Sequence, residues 1–440
     1  MAYAPHRPEL HVTAEHGVLD APAGLLVSND QWHEFHQYEP PAGAPRWAHQ
    51  SAENPFDWDI CDDVLAPEGE ETAVRAGSAV EHEGVQLIFT SVRGEHSSIH
   101  RATLTQLDSE LSDDALALDP AVVRHGEIVG DRDGFTDFRS PCVVADGNGW
   151  LMLAVTGPVD DPQLVLLTSP DLDAWELQGP VTLPGDPSNL VAPRLVRLVD
   201  EVDGATYDVF LVTAERDGVD ASGYLVGKLD GAKFTEVTPF TRIDYGHDFS
   251  RPRATNCAND ETHIFGLMNG IGRLDDASTH RSLTEERWAN CLTLPRHTTL
   301  QGGLLFQTPA TGLVEAVQLA DRAQLWSGLI DVQSGAVTVM LRDTEGPAAR
   351  ITHAGDALKL ERLRRDEDPA TAELVAADTD SLTIVVDGST VEVYADGGVV
   401  TMASRVYFEG PVTITEEHSG DAQVLRNFTV GPTSAGSPAE

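Results

Sequence analysis

Two aspartates fall close together in the first patterned stretch, "HVTAEHGVLDAPAGLLVSNDQWHEFHQYEP" at residues 11–40: Asp20 in "LDAPAG" and Asp30 in "SNDQW". A carboxylate in a pocket can attack an electrophilic carbon or move a proton, so both are of a type suited to covalent or general acid–base catalysis. Their contexts differ. Asp30 lies in the turn between two strand-like runs, where an acid is ordinary turn chemistry, whereas Asp20 lies inside an extended run. The four cysteines, Cys61, Cys142, Cys257 and Cys291, are far apart and form no C-x-x-C pair. Neither a zinc site nor a disulfide framework is expected from them, and no metal or cofactor is expected elsewhere.

The elements that must position such groups are strands. Short runs of alternating or β-branched apolar residues recur: "GVQLIFTSV" (84–92), "GWLMLAVTG" (149–157), "QLVLLTS" (163–169), "YDVFLVTAE" (207–215) and "THIFGLMNG" (262–270). Each is bounded by Gly, Pro, Asp or Asn, the mark of strands joined by turns. "SAENPFDWDICDDVLAP" (51–67) and "SPDLDAWELQGPVTLP" (169–184) echo each other, each with a Trp followed by an acid, Trp58-Asp59 and Trp175-Glu176. A repeated unit in a long all-β chain points to propeller blades. The end of the chain differs: "LTIVVDGSTVEVYADGGVVTMASRVYF" (382–408) reads as three strands with turns at Asp387-Gly388 and Asp396-Gly397-Gly398, which predicts a β-sandwich. At 440 residues two domains are expected, with the boundary near residues 305–325.

Acidic residues outnumber basic ones 71 to 29, a formal charge of −42, and the only lysines are Lys228, Lys233 and Lys359. Such a surface repels nucleic acid and anionic membranes, so neither is an expected partner. The acids are spread along the chain, as suits solubility and a high-salt cytoplasm. The sequence begins without the apolar core of a secretory signal, and no run reaches the roughly 18 apolar residues of a membrane span. A cytoplasmic location is the expectation.

Ordered motifs along residues 11–425 resemble glycoside hydrolase family 32, the invertases, sucrose-6-phosphate hydrolases, levanases and inulinases. "HEFHQYEP" (33–40) resembles the family's strand ending in Y-Q-Y-N-P, and "WAHQSAENPFDW" (47–58) resembles W-G-H-x-x-S-x-D-L-x-x-W. "AGSAV" (76–80) is similar to S-G-S-A-V, "FRSPCV" (138–143) to F-R-D-P-x-V and "WANCLTLPR" (288–296) to W-A-G-x-L-S-L-P-R. "TSPDLDAW" (168–175) and "DYGHDF" (244–249) follow in family order, and "VDGSTVEVY" (386–394) is similar to D-x-S-x-x-E-V-F. The resemblance implies an all-β chain with a five-bladed propeller over 1–310 and a linker plus C-terminal β-sandwich over 311–440. It also implies cleavage of β-fructofuranosyl bonds by a carboxylate nucleophile, a carboxyl acid/base and a third, stabilising carboxylate.

All three carboxylate positions depart from the family. The opening motif H-F-x-P-x-x-G-W-M-N-D-P-N-G-L matches His11 through Leu25 without a gap, which puts Asp20 on the family's Asn and Ala21 on its nucleophile. In "FRSP" the stabilising Asp is Ser140, and in "LVAPRL" the acid/base Glu of W-E-C-P-D is Val191. Retaining hydrolysis needs two carboxyl groups about 5 Å apart, and Ala or Val can neither attack nor donate a proton. Asp20 is the substitute candidate, although regular alternation would aim it to the opposite face from Ala21. Asp137 and Asp186 are the nearby candidate proton donors.

Gln37, Trp47 and Arg139 match family positions that contact fructose, and Arg75 and Arg251 are new arginines at pocket positions. Each has a bland alternative: Gln37 tying strands, Trp47 packing between blades, Arg139 in an ion pair, Arg75 and Arg251 paired with the many acids. Three functions stay open: a catalytically impaired β-fructosidase-like protein that binds a sugar or other small ligand, an active glycosidase with relocated carboxylates, and a scaffold or regulatory partner of an active paralogue. The β-sandwich is the expected surface for any oligomer.

Overall fold

The computed structural model describes residues 4–107, 112, 116–184, 190–216, 219–255, 261–269, 280–375 and 379–432. The first two thirds of the chain form five successive antiparallel sheets. Blade one comprises Gly17–Ser28, Gln31–Glu39, Arg46–Ala52 and Asp59–Ile60, and blade two Ala73–Glu81, Val85–Arg93, His96–Leu104 and Val122–Val129. Blade three runs Arg139–Asp146, Gly149–Thr156, Gln163–Ser169 and Glu176–Pro180, and blade four Leu190–Val199, Thr206–Arg216, Val219–Asp230 and Lys233–Arg242. Blade five holds Ser250–Ala254, Thr262–Met268, Arg296–Gln301 and Leu304–Pro309. The first strand of each blade packs against the first strands of its two neighbours, so the five inner strands close a ring around an axis.

Closure is made by backbone hydrogen bonding: Trp288–Ala289, from the chain inside blade five, pairs in parallel with Gly17 and Val18 at the start of blade one. The last blade thereby extends the first. Between blades lie separate apolar layers, such as Ala23, Phe35, Trp47, Leu87 and Phe89 between blades one and two, and Ile88, Val143, Met152 and Trp175 between blades two and three. A strand with neighbours on both faces must be apolar on both, which is why "VQLIFTS" is buried throughout rather than alternating. The two tryptophan echoes fall at equivalent places, each at the start of a fourth strand, in blades one and three.

After Pro309 a helix, Leu313–Leu319, leads to a sandwich of two five-stranded sheets. One sheet orders Val400–Arg405, Thr390–Ala395, Thr379–Asp387, Gln324–Asp331 and Gln423–Val430, and the other Ala370–Glu373, Ala357–Arg362, Gly346–His353, Gly335–Asp343 and Thr413–Gly420. The three strands read from residues 382–408 are present with both turns. Among the described residues no helix is long and apolar enough to cross a membrane.

Propeller and sandwich meet through buried charge. Arg296 of blade five bonds Asp244 Oδ2 at 2.8 Å and Glu392 Oε2 at 2.7 Å, and all three side chains are at most 1% exposed. His11 bonds Asp387 at 2.7 Å and Glu392 at 3.2 Å, and the backbone N–H groups of Glu9 and Leu10 donate to Asp387. Burial works against the charge on Glu392, but Arg296 and His11 outweigh it and hold the carboxyl at about 2. Burial likewise opposes charge on His11, yet its two carboxylate partners raise it above its ordinary 6.5.

Removing one partner of a buried pair leaves an uncompensated charge, so Glu392→Gln should destabilise the protein by about 3–5 kcal/mol in urea unfolding. The pH dependence has two edges. The raised His11 contributes fully below 6.5 and its contribution is lost as pH rises through its folded value; the depressed Glu392 contributes fully above its ordinary 4.5 and is lost as pH falls toward 2. Urea midpoints should therefore fall on both sides of that window, and His11→Gln should flatten the alkaline edge and, by removing one of the two partners that hold Glu392 low, also weaken the acid edge.

Candidate functional site

Every inner strand is irregular at the same height. In blades two to five, two residues face one on the second strand: Ala76-Gly77 against Phe89, Ser140-Pro141 against Ala154, Ala192-Pro193 against Val212, and Arg251-Pro252 against Gly266. Three of the residues before proline have left-handed backbone, Ser140 at φ 53°, Ala192 at 48° and Arg251 at 50°. Proline is tolerated because these are edge strands whose missing N–H would face the axis. Blade two has Gly77 where the others have proline, and a Cβ there would lie 1.8 Å from the carbonyl oxygen of Ile88.

Blade one is bulged twice, and the first bulge decides the aim of Asp20. Leu19 pairs with Tyr38 and Ala21 with Gln37, so Asp20 is the extra residue. A bulge re-aims a side chain that regular alternation would send to the other face. Asp20 accordingly accepts from the Gln37 amide and pairs with Arg251 Nη1 of the neighbouring blade five at 3.2 Å. The expectation that one residue of offset would turn Asp20 away is corrected by this insertion. Asp30 does sit in the hairpin turn, with φ 63° beside Asn29 at 52°.

The other positions that the resemblance points to, Ala21, Ser140 and Val191, carry no carboxyl group. Ala21 is buried, and Ser140 and Val191 are half-buried. Ser140 is fixed through its N–H, which donates to Thr90 Oγ1 at 3.0 Å. Asp137 stands at the rim between blades two and three, where it meets His96 at 3.3 Å and the N–H of Ser97. Asp186 lies outside the described residues. Among the described residues no second carboxylate is bonded to Asp20, Gln37 or Arg251, and no cluster of His, Cys, Asp and Glu could hold a metal.

The candidate sugar contacts separate into three groups. Gln37 and Arg251 converge on Asp20: the Gln37 carbonyl also accepts from Ala76 N–H at 2.8 Å, and the Arg251 N–H donates to Thr213 Oγ1 at 3.0 Å. Trp47 is 0% exposed, packed edge-on to Phe89 between blades one and two, so it offers no face to a sugar and its assignment as a contact is corrected. Arg139 donates to the carbonyls of Asp137, Gly157 and Pro158 and thereby braces two loops rather than a ligand. Arg75 is exposed and makes no ion pair among the described residues.

Two residues escaped the sequence reading. Arg194 and Arg253, each 4% exposed, follow the prolines of blades four and five and reach to the inner strands of other blades. Arg194 donates to the carbonyls of Ser140 at 3.2 Å and Gly77 at 3.4 Å, and Arg253 to that of Pro22 at 2.8 Å. The signal was present as a Pro-Arg pair in both "VAPRL" and "SRPRA".

Residues 11–309 match the N-terminal domain of the glycosyl hydrolases family 32, and residues 339–431 match the C-terminal domain of that family. The sucrose-6-phosphate hydrolase of Bacillus subtilis (strain 168) is 27% identical over 96% of this chain and 93% of its own length. The raffinose invertase of Escherichia coli is 26% identical over 91% and 89%. Among solved structures, a Bombyx mori GH32 beta-fructofuranosidase superposes with a TM-score of 0.80 at 20% identity, covering 98% of this chain and 94% of that one. A Lactobacillus gasseri sucrose-6-phosphate hydrolase gives 0.78 at 20% identity with the same coverage. An aspartate-to-alanine variant of the Bombyx mori protein holds sucrose.

The geometry separates packing from pocket. Trp47→Ala should cost about 3–5 kcal/mol of stability, as large aromatic truncations in cores do. Asp20→Asn, by contrast, breaks a pair whose aspartate is 44% exposed and should cost less than about 1 kcal/mol. Paired urea titrations of the two variants check the contrast.

Proposed function

This chain belongs to the glycosyl hydrolases of family 32 and is β-fructosidase-like, and on that premise we propose that its upper axial pocket binds a sugar without hydrolysing it. The observation that carries the reading is the state of Asp20: the acid that the first bulge brings to the pocket is already tied to Arg251 and Gln37, with Ala21, Ser140 and Val191 at the family's three carboxylate positions. Double displacement requires a nucleophile and, about 5 Å away, a carboxyl group to protonate the leaving oxygen. An alkyl group at position 191 leaves the departing alkoxide without a proton. Binding makes lighter demands. An amide, a carboxylate and a guanidinium at one pocket present donors and acceptors to vicinal hydroxyls, and the sucrose held by the Bombyx mori variant supports the idea that this type of pocket retains sugar when an aspartate becomes alanine.

A second reading, an active glycosidase with a relocated nucleophile, is favoured by the bulge itself, because it turns Asp20, 44% exposed, toward Gln37 and Arg251. The two readings part in one experiment. Purified protein incubated with sucrose, sucrose 6-phosphate, inulin and levan should release no fructose above a heat-killed control, while calorimetry should detect fructose or sucrose binding that Gln37→Ala weakens. Fructose release abolished by Asp20→Asn would replace the first reading with the second. Neither release nor binding would refute both.

A further inference from the structure

Below the pocket, the residues immediately after each inner-strand proline or glycine form a second ring: Ala23, Ser78, Cys142, Arg194 and Arg253. All five line one cavity of about 240 Å3, whose wall continues along the C-terminal halves of the inner strands past Leu25, Ala79, Val143 and Val196. It therefore faces the side of the propeller away from Asp20. Three of the ring residues are small, and two are buried arginines.

Those arginines are anomalous in a chain with 71 acidic residues. Neither makes an ion pair among the described residues; their described bonds are to backbone carbonyls, and Arg194 Nε and Arg253 Nη1 are buried without any partner. Burying an uncompensated guanidinium is costly unless something negative meets it. Burial already pushes Arg194 down to about 10, a sign of how little surrounds it that welcomes charge. Ser78 adds no free donor, since its hydroxyl bonds the Pro141 carbonyl and accepts from Val143 N–H. Glu81, exposed and held by Ser28 at 3.1 Å, also borders the cavity, three residues of strand beyond Ser78, the ring position level with the two arginines.

We propose that this lower axial chamber is a binding site for a small oxyanion, inorganic phosphate or a short carboxylate, clasped between Arg194 and Arg253. The planar fork of a guanidinium matches two oxygens on one centre better than a spherical halide. A chamber of about 240 Å3 holds such an ion with water to spare, given roughly 30 Å3 per water. The site is separate from the sugar pocket, and its test reads binding, not hydrolysis.

The full chain in Tris chloride is titrated with sodium phosphate and with sodium acetate, against sodium chloride at matched ionic strength, by calorimetry and thermal unfolding. Phosphate or acetate should bind once per chain and raise the melting temperature saturably beyond chloride, and whichever does so names the oxyanion. Arg253→Gln should weaken that binding about tenfold or more, the loss expected for a charge-assisted hydrogen bond, while Arg426→Gln, on the exposed sandwich surface, should not. Arg253→Lys, which keeps the charge but removes the fork, should fall between, and serves if the glutamine variant does not fold. Crystals soaked in selenate should show an anomalous peak between the two guanidiniums. Equal responses to all three salts or an unchanged Arg253→Gln titration would overturn the proposal, as would the absence of a selenate peak in the chamber where phosphate is the anion that binds.

Discussion

Arg296 is a cation with no access to water, and the arrangement of the two domains follows from what it needs. Asp244 and Glu392 come to it from different domains, and Glu392 in turn fixes His11, whose other nitrogen reaches Asp387. Neither domain satisfies these charges alone. Buried ion pairs add little when compared with a well-packed apolar core, but they punish any arrangement that separates them. The interface is thus selective before it is strong: a sandwich docked a few ångströms away would strand several charges at once.

That network also explains which parts of the sequence resemble the family most. "DYGHDF", "WANCLTLPR" and "VDGSTVEVY" supply Asp244, Arg296, Asp387 and Glu392, so they hold the domains together. Asp248 in the first of them continues the pattern, accepting from Arg362 and the Arg405 N–H at 2.7 Å each.

Strands, turns and the sandwich hairpins were legible in the sequence because each strand is bounded by residues with strong turn preferences and because an interior strand is apolar throughout. The tryptophan echo worked for a related reason, since both indoles open a fourth strand. Side-chain direction was less legible. Spacing placed Trp47 in the right strand but could not say which face it takes, and the neighbouring blade claimed it. Strict alternation failed at Asp20 because a single inserted residue opposite Gln37 is invisible in a pattern of period two. Arg194 and Arg253 were passed over because nothing in the spacing of a Pro-Arg pair places it at the axis, and only the fold reveals that neither makes an ion pair among the described residues.

The bulge before each inner-strand proline has a consequence for how such a protein can change. Its shape is imposed by the proline ring and by the neighbouring blade's backbone, while the residue just before it contributes a side chain and little else: alanine, serine and arginine all occupy that place here. These four places act as sockets, indifferent to what is plugged into them. A lineage can therefore exchange reactive groups for inert or charged ones without disturbing the scaffold, and selection that inspects only folding and solubility would not notice the exchange.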